Sequence, residues 1–380
     1  MAHYKMSDVV IEVKDKESSP STSKYERFVG LEHYVSGDVE ISQYGKTDSL
    51  ESTMKVFQAG DILVARRNVY LRRASRVSFD GLTSGDSIVL RAIDEVMARI
   101  LPFVLNTDAF WNYADQYSDG TMSKRLSPKL LLDYEFDLPD DSLEDFADLL
   151  WAVNDTRNSY RQLLIKTDEM VKSQFVEMFG DIENNTKGYP VKKISEFANC
   201  VAGATPSTKK AEYWDNGTIP WMASGEIHQA HVYDTEKKIT QVGFDNCSTK
   251  MIPAHTTLIA LVGQGKTRGT VAINEIELCT NQSMCAIVTD GTVLTDYLYH
   301  NLRGRYIEIR NLSTASEGRG VLNLQMVGNI PVIVPPMELQ EWFASFAEQS
   351  DKSKFASSNR NLSRCLVTLK QMIKNGMQNL

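Results

Sequence analysis

The most regular hydrophobic pattern in the chain runs from Asp141 to Gly180. Apolar residues recur there in alternating steps of three and four: Leu143, Phe146, Leu150, Val153, Tyr160, Leu164 and Val171, with Met178 closing the series. That is the stripe of a helix built to lie lengthwise against another helix. Arg157 and Thr167 interrupt it. No Pro or Gly falls between Leu143 and Phe179, and Pro139, Asp140 and Asp141 supply an N-terminal boundary. At ~1.5 Å per residue the helix would be on the order of 55 Å long, well beyond an ordinary globular helix.

A second helical pattern covers Glu338 to Gln378, with Leu339, Phe343, Phe346, Leu362, Leu366, Leu369, Ile373 and Met377 as apolar positions. Its middle, Ser350 to Asn361, is polar, so the coiled-coil pattern is good at the ends and poor in the centre. The segments before the two helices read as short strands punctuated by turns. In the first, Phe57 to Val64 is strand-like, Arg66 to Arg73 and Asp80-Gly81 follow, and Val96–Leu105 and Asp108–Gln116 are helical patterns. The second runs from Val191 to Pro335.

These β-rich segments repeat one another. Gly60–Ala65 lines up with His255–Ala260 at an offset of 195, Glu32 with Glu226 at 194, Thr83–Asp86 with Thr280–Ser283 at 197, and Phe136–Pro139 with Val332–Pro335 at 196. Pro20-Ser-Thr has a counterpart at Pro206, at 186. Markers in one order at nearly one offset indicate a diverged tandem duplication, with a period far too long for a solenoid. The expected architecture is α+β: β-rich domains at 1–140 and 181–336, a central helix at 141–180 and a C-terminal helix at 337–380. If the two stripes pack together, the helices are antiparallel and the domains are related by an approximate two-fold axis. A two-fold-related pair held one or more helical turns apart is the geometry for reading a two-part DNA site in successive grooves.

Composition narrows the class. At 380 residues, 42% hydrophobic and 24% charged, the chain is that of a soluble protein of two or three domains. Its longest apolar runs, Thr257–Val262 and Ile330–Pro336, are too short to span a membrane, and Met1–Val10 shows no secretion signal. Cys200, Cys247, Cys279, Cys285 and Cys365 form no CxxC pair and read as free thiols in a reducing cytoplasm. The net charge of −8 argues against a sequence-blind nucleic-acid binder but leaves room for a local basic face.

Candidates for that face are few. Arg66, Arg67, Arg72, Arg73 and Arg76 crowd into one short stretch; strand alternation keeps them from all pointing one way. They either touch DNA, at bases or phosphates, or form surface salt bridges. Lys124-Arg125 after Gly120 and Arg319 after Gly318 occupy equivalent loops of the two repeats. Ala260–Thr267 fits a loose phosphate-loop pattern, but the mechanism needs a helix N-terminus after Lys-Thr, and Arg268–Ile273 reads as a strand. The expected form is a hairpin projecting Lys266, Thr267 and Arg268, as a DNA-reaching loop or a solvated turn. Trp214 and Trp221 read as core rather than as base-stacking platforms. His33, His228 and His231 show no metal-ligand spacing. No Asn-Pro-Pro-aromatic string, GxGxxG turn or GxSxG elbow is present, so any methylation or cleavage belongs to other subunits. On the central helix, Trp151, Ile165 and Phe175 lie off the main seam and are the candidate docking surface for partners.

This arrangement resembles the specificity subunit of type I restriction–modification systems. The resemblance covers nearly the whole chain and is most specific at Gly203-Ala-Thr-Pro-Ser-Thr208, Tyr213-Trp214, Gly217-Thr-Ile-Pro-Trp221, Gly265–Ile273, Asn281-Gln282, Val334-Pro-Pro and Leu339-Gln340. In the first half, Gly30–His33, Phe57 with Gly60–Leu63, Tyr70-Leu71 and Asp80-Gly81 with Ser84 look like the matching pattern, although no Trp answers Ile219-Pro-Trp221. The resemblance implies that the β-rich regions are target recognition domains and the helices spacers. It implies a non-catalytic cytoplasmic protein of a phage-defence system, holding no cofactor. Its partners would be double-stranded DNA, methyltransferase subunits using S-adenosylmethionine, and translocase–nuclease subunits using ATP and Mg. The competing reading is a coiled-coil scaffold whose β-rich domains bind protein or carbohydrate.

Overall fold

The computed structural model describes residues 2–120, 123–140, 142–263, 265–313 and 320–351. The chain divides into two compact units, with the boundary between Gln162 and Leu163. That boundary falls inside the central helix, where the sequence pattern predicts an uninterrupted spacer between two domains.

The first unit is built from β1 (Ala2–Lys5), β2 (Val10–Glu12), β3 (Arg27–Val29), β4 (Met54–Phe57), β5 (Ile62–Ala65), β6 (Ala74–Arg76), β7 (Gly81–Thr83) and β8 (Ser87–Ala92). Helices α1 (Glu95–Val104), α2 (Asp108–Tyr117) and α3 (Pro128–Leu132) follow, then β9 (Glu135–Leu138). The central sheet has the order β2-β8-β5-β6, and β9 pairs with β1. Every residue of β5 is buried, because both faces of this strand are covered. Ile62 and Val64 face the helix side with Ile100, Leu101 and Val104. Leu63 and Ala65 face a second sheet with Val29, Phe57 and Val77. The run Ile-Leu-Val-Ala is therefore what a doubly covered strand requires. Helix starts are set by side chains: Asp94 accepts from Met97 N, Thr107 from Phe110 N and Ser127 from Leu130 N.

Helix α4 spans Leu143–Phe179, 37 residues as the periodicity predicts. Its N-terminal part belongs to the first unit: Leu150 packs with Val39 and Phe103, and Phe146, Trp151 and Val153 flank them. Arg157, an interruption of the apolar stripe, is buried and has a purpose there. It donates to Gly37 O (3.2 Å), Asp38 Oδ1 (3.2 Å) and Asn154 Oδ1 (2.8 Å), and Arg161 donates to the same Asp38.

The second unit repeats the plan with β10 (Val191–Lys193), β11 (Ala198–Ala202), β12 (Ile219–Met222), β13 (Thr256–Ala260), β14 (Val271–Asn274), β15 (Cys279–Thr280) and β16 (Met284–Thr289). Helices α5 (Thr295–Gly304), α6 (Tyr306–Asn311) and α7 (Leu324–Gly328) lead to β17 (Pro331–Ile333), and a last helix occupies 337–351. The rest of the expected C-terminal helix, and with it the antiparallel pairing, lies outside the described residues, as do Arg319 and Cys365. The sheet order β11-β16-β13-β14 repeats that of the first unit, with a fifth strand, His231–Val232, added parallel to β14, and β17 pairs with β10 as β9 does with β1. The C-terminal part of α4 belongs here: Val171 and Phe179 join Tyr297 and Phe343 in the core.

Registers confirm the duplication strand by strand. Leu63 pairs with Val89, and Leu258 with Ala286, so the offsets of 195 and 197 read from sequence hold. Val29 lies parallel to Thr83 as Met222 lies parallel to Thr280. This places Phe28 opposite Leu82 where Trp221 sits opposite Cys279, so the first unit does have an aromatic counterpart to Trp221. One alignment is corrected. Ala223 N donates to Glu226 Oε1 (2.8 Å), and the equivalent Gly30 N donates to His33 Nδ1 (2.9 Å). His33, not Glu32, stands where Glu226 does.

Candidate nucleic-acid interface

The most specific strings of the second unit are structural. Trp221 Nε1 donates to Ala204 O (3.0 Å), Trp214 Nε1 to Ser207 O (3.1 Å), and Asn281 N to Met222 O (3.1 Å). The two Trp rings meet edge to face at 5.1 Å, and Gly203 lies so close to Thr280 that a Cβ would sit 2.0 Å from its carbonyl oxygen. Trp221 is a core residue, as expected, and Trp214 is half-buried against it. Among the described residues no group of His, Cys, Asp and Glu could hold a metal ion. The four described cysteines are free thiols, and burial pushes Cys279 up to about 11.

The first unit brings two predicted basic segments together at the β5–β6 connection. Leu126 N donates to Arg66 O (2.9 Å), Asn68 N to Lys124 O (3.0 Å), and Ser123 Oγ to Asn68 Oδ1 (2.9 Å). The arch between the strands is held in an unusual conformation. Asn68 and Arg72, with φ of 56° and 50°, bracket the turn Val69–Leu71 in the left-handed region. That costs about 1–2 kcal/mol for a side chain such as Arg, and such cost tends to be stored where function uses it. Val69 is buried and anchors the arch, while Tyr70 is 64% exposed at its tip.

The cations around this arch are not free. Arg67 and Arg125 both pair with Asp86, at 3.2 and 2.8 Å. Arg72 pairs with Asp108, Lys124 with Asp115 and Arg76 with Glu95. Arg66 Nε donates to Leu126 O, and Arg73 donates to Leu31 O and Arg67 O; burial holds the Arg73 guanidinium below its ordinary pKa. Salt bridging thus describes Arg67, Arg72 and Arg76, and backbone carbonyls hold Arg66 and Arg73. Exposed pairs of this kind are worth about 0–1 kcal/mol, so a phosphate can replace a carboxylate at little cost.

In the second unit the equivalent β13–β14 connection carries Lys266, Thr267 and Arg268. The expected projection of all three is corrected: Lys266 is exposed, but Arg268 is turned inward and only 7% exposed. Gly263 and Gly269, with φ of 140° and 83°, take the backbone off the two-residue period, so alternation does not hold through the loop. Strand β14 follows Thr270, and no helix N-terminus is offered to a phosphate. Thr267 Oγ1 lies 3.2 Å from His228 Nε2, and Tyr306 Oη donates to Lys266 O (3.1 Å).

Beside this loop is a cavity of about 430 Å³ whose lining includes Lys172, His228, Lys266, Tyr299, Arg303 and Tyr306. No carboxylate is among the described residues that line it. Burial raises the pKa of Tyr299, whose ring lies under the Arg303 guanidinium at 5.9 Å. Sequence reasoning missed Lys172 and Arg303, which lie far apart in the chain and meet only through packing of α4 and α5. Nothing local to either residue signals the meeting.

Two of the three candidate docking residues on α4 are half-buried against their own units. Trp151 meets Phe103 edge to face at 5.4 Å and donates from Nε1 to Arg99 O. Phe175 stacks on Tyr297 at 5.3 Å and meets Phe343. Both are packed within their own units. Ile165 is 50% exposed.

Residues 186–364 match the family model of the type I restriction modification DNA specificity domain. The specificity subunit of the type I restriction enzyme EcoR124I/EcoR124II of Escherichia coli is 27% identical over 164 residues, 42% of this chain and 40% of that protein. The MjaIX specificity subunit of Methanocaldococcus jannaschii is 34% identical over 123 residues, 32% of this chain and 28% of that protein. The matched stretches therefore span less than half the length of these curated relatives. Across the whole chain, the fold is similar to the crystal structure of the type I restriction–modification S subunit from M. genitalium, with a TM-score of 0.57 at 13% identity, covering 100% of this chain and 96% of that one. A chain from work on complex assembly and conformational transition of the type I R-M system gives 0.53 at 16% identity, covering 100% and 98%.

Proposed function

We propose that this chain, which belongs with the specificity subunits of type I restriction–modification systems by sequence over residues 186–364 and by fold over its length, reads a two-part, asymmetric double-stranded DNA site, one half per unit. It acts without catalysing a reaction itself. It positions methyltransferase subunits, which supply S-adenosylmethionine chemistry, and translocase–nuclease subunits, which use ATP and Mg, in a cytoplasmic phage-defence complex. No described helix is long and apolar enough to cross a membrane.

The observation that carries this reading is a repeated strand frame whose matched connections diverge. Both units share a four-strand order and its register, and the matched connections between β5–β6 and β13–β14 differ completely in residues. A shared frame with unlike loops suits two readers of unlike sequences. Co-expression with a methyltransferase encoded beside it, followed by genome-wide mapping of methylated adenine, tests the reading. The expected outcome is a two-part motif with a fixed gap. A continuous motif, or no methylation dependent on this chain, would overturn it.

A further inference from the structure

We propose that the cavity lined by Lys172, Lys266, Arg303 and His228 seats a phosphodiester of the DNA backbone, as a positioning contact of the second unit. The proposal rests on the DNA-reading function above. Lys172 comes from α4, His228 from the turn after β12, Lys266 from the β13–β14 connection and Arg303 from α5. Four elements thus bring cationic or protonatable groups to one wall, in a chain whose net charge is −8.

Arg303 is balanced by Asp168 at 3.2 Å and by the nearby charge of Asp351, yet among the described residues neither Lys172 nor Lys266 has a hydrogen bond or ion pair from its ammonium group. Two unmatched like charges beside one partly enclosed space favour an anion there. The surroundings favour phosphate over a carboxylate side chain of a partner protein. Thr270 and Tyr306 spend their hydroxyls on Lys266 O (2.8 and 3.1 Å), which fixes the loop and leaves the ammonium to act as a point charge. Lysines used in this way suit a phosphate, which needs no planar fork.

The source of the phosphate is also constrained. A free nucleotide is normally held by a cradle of backbone N–H groups at a helix N-terminus. Here the chain passes from Lys266 through Gly269 into β14, and Gly269 packs against Arg310. With side-chain cations alone, the pocket matches the sequence-independent contacts that fix a protein's register on a duplex.

The test uses the full chain co-purified with its methyltransferase, and a labelled duplex carrying the mapped motif beside a scrambled one. Binding is followed by fluorescence anisotropy across a salt series. Lys172 and Lys266 are exposed, so Lys172→Gln and Lys266→Gln leave the fold intact, and thermal melting checks this. Each variant is expected to weaken both duplexes equally, by about fivefold, and the double variant to lower the slope of log affinity against log salt by about one. An unchanged slope, or a change in discrimination between the duplexes, would overturn the pocket assignment while leaving the DNA reading in place. Failure of the unaltered complex to bind either duplex would overturn both. Calorimetry with pyrophosphate and ATP separates the remaining source: micromolar affinity that duplex does not displace would assign the pocket to a free ligand.

Discussion

The two units share a frame and differ in how they treat charge and backbone at the same place on it. At the β5–β6 connection of the first unit, two non-glycine residues take left-handed conformations, an aromatic ring is held out, and most basic side chains are matched by carboxylates. At the β13–β14 connection of the second unit, glycines make the turns, the loop is pinned by Thr270 and Tyr306, and two lysines stand unmatched beside a cavity. One loop holds out an aromatic ring among ion-paired cations, and the other holds out a lysine that has no ionic partner among the described residues. On the proposed DNA-reading function, the exposed Tyr70 ring suits a groove and the unmatched lysines suit a backbone.

The units also achieve the same local bonds with different chemistry, and substitutions can separate the two solutions. The largest effect is expected at Gly203, where a Cβ would collide with backbone. Gly203→Val should cost about 4 kcal/mol or more and abolish the second unit's melting transition in calorimetry while leaving that of the first. Next comes Asp38→Ala, which removes a carboxylate shared by the buried Arg157 and by Arg161. Breaking a buried pair costs about 3–5 kcal/mol. Because Asp38 retains 20% side-chain exposure, about 2–3 kcal/mol is expected, confined to the first unit in hydrogen exchange. The matched caps should differ in the same sense. Glu226 accepts from Ala223 N and from Glu236 N (2.9 Å) while buried, so Glu226→Ala should cost about 2 kcal/mol, against about 1 kcal/mol for His33→Ala, by chemical denaturation. The smallest effect on stability belongs to Tyr70→Ala, within about 0.5 kcal/mol of the parent. Methylation mapping should nevertheless find one half of the motif relaxed and the other unchanged; loss of stability with an intact motif would contradict a probing role.

The duplication was legible because its strongest markers are buried strands. Ile62–Ala65 and Thr256–Ala260 must be apolar or β-branched on both faces wherever they sit, so the pattern survives divergence. The slip of Glu32 against Glu226 arose because the same cap is made by an imidazole in one unit and a carboxylate in the other, one position away from the textual match. The long helix was legible from its period, but a single stripe does not reveal what covers it. Trp151 and Phe175 lie off the seam yet are packed against Phe103 and Tyr297, residues distant in sequence. The same non-locality hid the cavity. The inward turn of Arg268 is not legible locally, because the left-handed Gly263 and Gly269 set the loop's path and only the folded unit shows which side chains it buries.

The divided allegiance of α4 has an evolutionary consequence. Residues up to Arg161 find their packing and ionic partners in the first unit, and Val171 onward in the second. A recombination event near Gln162 would therefore transmit each half of the helix together with the side chains that fit it. Among the described residues, a hybrid gene joined at that point keeps each half of the helix with the side chains that pack on it, without compensating mutations along α4.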